Sequence, residues 1–161
     1  MVIATAARIL ILKRGLHAAH RLAKEKDMTS THTNPAIFIA AADYERLTAI
    51  AESAAKREPE IAAFLLEELE RASIDAPFGD ARIVTMGSHV RFRDDTSGRV
   101  LDAQLVYPDS ADPGARRISI LTPVGAALIG LPEGQVMQWR DRGGKNKTLT
   151  VLKVQNELEL A

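Results

Sequence analysis

The sequence predicts an α+β protein: a short N-terminal antiparallel hairpin of two helices, then a mostly antiparallel sheet of about five strands wrapping one short helix. Three observations carry this reading. Apolar residues recur twice at three-four-three spacing between positions 43 and 72. From position 89 the pattern changes to short alternating runs separated by Gly, Pro and Asp turns. Between the two regions lies Ile74-Asp-Ala-Pro-Phe-Gly-Asp-Ala81, where Pro77 and Gly79 break any helix. The expected organisation is an extension over 1–34, a helical hairpin over 35–75 and a sheet domain over 76–161.

Within the extension, residues 1–28 carry six Lys/Arg against two acids, with no acid before Glu25. Its apolar run, Ile9 to Leu12, is shorter than the seven or so residues of a signal-peptide core. A basic amphipathic helix can form with Ile9, Leu12, Leu16 and Leu22 on one side. The alternative is a disordered leader ahead of the natural start. Met28-Thr-Ser-Thr-His-Thr resembles an ordinary initiation, so Met28 is the expected first residue. His17 and His20 stand at metal-binding helical spacing but lack a third ligand, and are read as surface histidines.

The hairpin follows a loop at Asn34-Pro35 and an extended run, Ala36 to Ile39. Asp43 is read as the cap of the first helix. Tyr44, Leu47, Ala51 and Ala54 form its apolar stripe. Pro59 disfavours helix at Glu58 and then suits the first turn of a second helix. There Ala62, Leu65, Leu69 and Ala72 repeat the stripe, and Glu67, Glu68 and Glu70 are assigned to solvent. Residues 43–75 hold nine acids against four Lys/Arg, which makes this arm the expected contact surface. Each arm of about 14–16 residues spans only about 21–24 Å.

The sheet domain begins with His89 to Asp94, where Val90 and Phe92 share a face. A turn over 94–98 leads to a strand over Arg99 to Tyr107, then a loop over 108–114 and a strand over Arg117 to Leu121. Thr122 is the expected N-cap, Pro123 the first helical residue and Gly130 the left-handed stop of a two-turn helix. Val136 to Arg140 and Leu149 to Val154 complete a hairpin around residues 141–147.

Composition excludes several functions. With 46% hydrophobic and 26% charged residues the chain can bury a core. No cysteine is present, so Cys-type zinc sites, redox pairs and thiol nucleophiles are ruled out. Twenty-one Lys/Arg balance twenty-one Asp/Glu, which argues against direct DNA binding. No run approaches the ~20 residues of a membrane span. Phosphate-loop, GxGxxG and GxSxG motifs are absent. Ser88 and His89 are neighbours on a strand and face opposite ways, which disfavours a triad. Asp94-Asp95 reads as a solvated turn, not an acid pair. Neither an enzyme nor a cofactor is expected.

The stretches Val84-Thr-Met-Gly-Ser88, Leu105-Val-Tyr-Pro108 and Ile118-Ser-Ile-Leu-Thr-Pro-Val-Gly-Ala-Ala-Leu-Ile-Gly130, with Trp139, resemble the C-terminal domain of the Gre transcript-cleavage factors. Residues 35–161 as a whole resemble the regulator of nucleoside diphosphate kinase (Rnk) family. The resemblance implies an FKBP-like C-terminal domain, a coiled-coil N-terminal hairpin and binding to bacterial RNA polymerase at its secondary channel. It places the polymerase contact at Thr122, Pro123 and Gly125. It also draws attention to the hairpin tip, Lys56, Arg57, Glu58 and Glu60. Gre factors present acids on a long arm to hold a magnesium ion in the polymerase. Here the tip lacks that motif, the arm is about half as long, and Glu58 and Glu60 also suit a plain helix start. The expected protein is a cytoplasmic, monomeric regulator that competes with Gre factors without cleaving RNA. The alternative is action on nucleoside diphosphate kinase, directly or through nucleotide pools. With few aromatics in the sheet domain, prolyl isomerase activity is not expected.

Overall fold

The computed structural model describes residues 34–74 and 82–156. Met28, the histidines at 17 and 20, and residues 75–81 of the Pro/Gly connection lie outside the described residues.

Helix α1 runs Ala41–Ala54 and α2 runs Pro59–Arg71, joined by a tight turn at 55–57. Their facing stripes, Tyr44, Leu47, Ala51 and Ala54 on one and Ile61, Ala62, Leu65 and Leu69 on the other, are buried. The spacing therefore located both helices and the faces they bury. Two assignments change. Ala40 occupies the N-cap of α1 without a side-chain bond, and Asp43 lies inside the first turn. There its carboxylate accepts a hydrogen bond from Tyr107 Oη at 3.2 Å. Glu68 is buried, not solvated, because it follows Leu65 by three residues on the inward face.

Five strands form one sheet: β1 His89–Asp94, β2 Arg99–Val106, β3 Arg117–Ser119, β4 Val136–Arg140 and β5 Asn146–Gln155. Their spatial order is β3-β2-β1-β5-β4, with β3 parallel to β2 and the other pairs antiparallel. Val90 and Phe92 point inward, between Ala103 on β2 and Val151 and Val154 on β5. The register of β1 on β5 steps between Arg91 and Phe92, which leaves Leu152 as an extra, exposed residue. β5 begins at Asn146, three residues before the expected Leu149, because Asn146, Lys147 and Thr148 pair with Arg140, Trp139 and Gln138. The β4–β5 turn is correspondingly tighter. β3 ends at Ser119, two residues short of expectation, where Thr122 starts to cap the next helix.

Helix α3, Pro123–Leu128, packs against α2 and β4, with Ala126, Ala127 and Leu128 fully buried. Gly130 follows with φ +75°, the left-handed stop expected from its position. A Cβ at Gly130 would press on Ile37 and Phe38 at about 3.0 Å, so glycine also admits the lead-in strand here. Phe38 N donates to Gly130 O at 2.9 Å, and Ile37 and Ile39 exchange main-chain bonds with Ser73. Both ends of the helical hairpin are thereby anchored beside α3.

Candidate functional site

The local geometry of the α3 corner is determined by folding. Thr122 Oγ1 accepts from Gly125 N at 3.1 Å and donates to Ser119 O at 2.7 Å. Its hydroxyl is thus engaged in both directions. A Cβ on Gly125 would stand 2.2 Å from Ser119 O, so no other residue fits without moving the backbone. Pro123 is half-buried, and it lines a cleft that neither Thr122 nor Gly125 reaches.

That cleft, of about 940 Å³, brings together the two regions the sequence singled out separately. Its walls include the cap Glu58 and Pro59, Glu60, Phe64 and Glu67 along α2, Pro123 from α3, and Gln138 to Arg142 from β4 and its turn. Lys56 and Arg57 are exposed at the tip and do not line it. Trp139, the only tryptophan in the chain, shares the wall, and its indole Nε1 is buried without an acceptor among the described residues. Arg142 Nη2 stands 3.4 Å from Glu58 Oε2, joining the tip to the β4–β5 turn. No local signal in the sequence marks Arg142, because the pairing spans 84 residues.

At its other end α2 is also tied to the sheet. Arg71 Nε donates to Glu68 Oε2 at 2.8 Å and a second guanidinium nitrogen bonds the same oxygen. Arg71 further donates to Pro35 O and approaches Met137 Sδ at 3.8 Å. Burial pushes the Glu68 carboxyl above its ordinary range, against the opposing pull of Arg71. The thirteen residues of α2 cover about 20 Å. Met137 to Arg142 covers about 17 Å of extended chain. With Arg71 at Met137 and Glu58 at Arg142, α2 lies along β4. A third tie joins α1 to the residue that follows β2: the Arg46 guanidinium sits 3.7 Å from the centre of the Tyr107 ring, whose hydroxyl bonds Asp43.

The other candidate groups serve the fold. Ser88 is buried and its Oγ donates to Asn156 Oδ1 at 2.7 Å, while His89 is exposed. Asp94 Oδ1 accepts from Thr96 N at 2.9 Å within its turn, and Asp95 accepts from Thr150 at 2.6 Å. Among the described residues, no three His, Asp or Glu side chains converge as a metal site. No helix among them is long and apolar enough to cross a membrane.

Comparison with known proteins places both halves of the described chain. The family model "Rnk N-terminus" matches residues 35–74, and "Transcription elongation factor, GreA/GreB, C-term" matches 79–156. The chain is 36% identical over 130 residues to the regulator of nucleoside diphosphate kinase of Escherichia coli, covering 80% of this chain and 96% of that one. It is 33% identical over 150 residues to transcription elongation factor GreA of Ralstonia nicotianae, covering 86% and 92%. Among solved structures, the elongation factor GreA/GreB of Nitrosomonas europaea superposes with a TM-score of 0.57 at 36% identity, over 74% of this chain and 98% of that one.

Proposed function

The chain belongs to the regulator of nucleoside diphosphate kinase family, and from that premise we propose that it binds bacterial RNA polymerase near the secondary channel. There it competes with Gre-type elongation factors and does not stimulate transcript cleavage. The similarity of residues 79–156 to the C-terminal region of the Gre factors supports docking through the sheet domain. The position of the arm supports the absence of cleavage. α2 lies along β4, with Arg71 beside Met137 and Glu58 beside Arg142. A helix of thirteen residues fastened at both ends supplies about 20 Å of reach at most. Metal coordination requires placement within a few tenths of an ångström. Glu58 and Glu60 sit on this short arm, and Glu58 already has a cationic neighbour. Such an arm obstructs a channel mouth without delivering a carboxylate to a deep metal site.

At the α3 corner, Pro123 is half-buried like Thr122, and of the two it is the one that lines the cleft. Thr122 and Gly125 support it from below, and their replacement would disturb folding first. Retention of the purified chain on immobilised polymerase tests this reading, with and without an excess of a Gre factor. Binding that the Gre factor displaces is expected, and Pro123→Ala is expected to weaken it at unchanged thermal stability. No retention at micromolar concentration overturns the proposal. Nucleoside diphosphate kinase is the second candidate partner, on the relatives' name alone, and the same experiment with immobilised kinase separates the two.

A further inference from the structure

The outer edge of β4 is a sheet edge that opens onto the cleft. β4 is the terminal strand of the sheet. In its ladder with β5, Val136, Gln138 and Arg140 stand opposite Thr150, Thr148 and Asn146. The bonds from Val151 N to Gln135 O at 2.9 Å and from Asp141 N to Lys145 O at 3.0 Å set the phase. Residues 135, 137, 139 and 141 therefore direct their main-chain groups at β5, and 136, 138 and 140 direct theirs away from the sheet. No hydrogen bond engages these outward groups among the described residues. Natural edges of this kind are often blunted by proline or covered, whereas β4 contains no proline and its last three residues line an open cleft.

The opposite wall has a matching charge. The lining residues include four carboxylates, Glu58, Glu60, Glu67 and Asp141, against two guanidiniums, Arg140 and Arg142. Arg142 faces Glu58, and Asp141 Oδ1 is bonded by Gly143 N and Lys145 N. Glu60 and Glu67 are exposed and have no ion-pair partner among the described residues, and the same holds for Arg140 on the β4 side, so the free charge on the α2 wall is wholly acidic. They stand seven residues apart on α2, about 10 Å along its axis. Alternate residues of an extended strand repeat every ~6.7 Å on one face. Basic side chains two or four positions apart on such a strand can serve both carboxylates.

We propose that this cleft takes an extended, basic segment of a partner protein, which adds to β4 as a sixth strand and sets Lys or Arg side chains against Glu60 and Glu67. The main-chain edge supplies affinity and the acidic ridge selects the sequence. This does not depend on polymerase docking, since it specifies the chemistry of the segment and not its carrier.

The probe is a synthetic peptide of alternating lysine and valine, titrated into the isotope-labelled chain. Saturable shifts and slowed solvent exchange at the Gln138 and Arg140 amides are expected, together with a change in Trp139 fluorescence. Glu60→Gln combined with Glu67→Gln is expected to weaken binding by about tenfold, as for two partly screened ion pairs. Two further peptides carry N-methyl groups on either alternate set of amides. One series is expected to lose binding and the other to keep it, since a strand bonds its neighbour through every second residue. The proposal is overturned by the absence of saturable binding, by equal binding of both methylated series, or by equal binding of an alternating glutamate–valine peptide. It is also overturned if the free chain sediments as a dimer with those two amides already protected, because a second copy would then occupy the edge.

Discussion

Arg71 and Glu68 show how a single buried pair can fasten an element. Glu68 is 2% exposed and its partner Arg71 also holds Pro35 O. Removing the guanidinium leaves a buried carboxylate and a carbonyl unpartnered, so Arg71→Ala is expected to cost about 3 kcal/mol or more in urea unfolding. Glu68→Gln keeps an acceptor and removes the charge that burial already disfavours, so its cost is expected to be smaller, about 1 kcal/mol. Equal losses would show that the pair acts as packing alone. Two tyrosines are expected to shape the alkaline limb of stability. Burial first, and the neighbouring Asp43 second, raise the Tyr107 hydroxyl above its ordinary value of 10.0, and burial raises Tyr44 in the same direction. The folded chain thus holds these protons more tightly than the unfolded chain. Their contribution is complete below the ordinary tyrosine range and is lost as pH rises through the raised folded values. Tyr107→Phe is expected to flatten, without abolishing, the fall in stability above pH ~10, measured by urea midpoints against pH. An unchanged slope would contradict this. At this scale, the cap, the proline and the left-handed stop of α3 were legible because Thr122, Pro123 and Gly130 act on their immediate neighbours. Glu68 was misassigned because its spacing from Leu65 and Leu69 signalled burial, whereas its charge, taken alone, argued for solvent.

Elements were readable wherever one face is buried. The stripes of α1 and α2 and the alternation in β1 gave the helices and the strand from periodicity. Pairing was less accessible. Nothing local announces that Asn146 extends β5, because that follows from cross-strand contact with Arg140. β3 is parallel to β2 after a connection containing two short 3-10 turns, and its three residues carry no periodic signal. The candidate site was legible only as two separate fragments, the tip and the corner. Their shared cleft depends on α2 lying along β4, through Arg71–Met137 and Glu58–Arg142. The outer tie involves exposed side chains, so Arg142→Ala is expected to change global stability by less than about 1 kcal/mol. It is nonetheless expected to raise amide exchange in residues 55–60, measured by hydrogen exchange, while exchange near Arg71 stays unchanged. Unaltered exchange at the tip would show that the apolar contacts of α2 hold it down unaided.

Across the whole molecule, the charge asymmetry is a consequence of architecture. The acidic surface belongs to the hairpin, and that hairpin forms one wall of a cleft whose other wall is the sheet edge. The chain combines a sheet domain similar to that of the Gre factors with a hairpin fastened along its side. Under the proposed function, the first property serves occupancy of polymerase and the second limits the reach of the arm. Those two consequences are separable in one measurement. Stalled elongation complexes carrying end-labelled RNA are incubated with saturating protein and resolved by transcript length, with a Gre factor as the positive control. Bound complexes are expected to keep their full-length RNA and to become resistant to the added Gre factor. Shortening of the RNA by this protein, abolished by Glu58→Ala or Glu60→Ala, would contradict the proposed function.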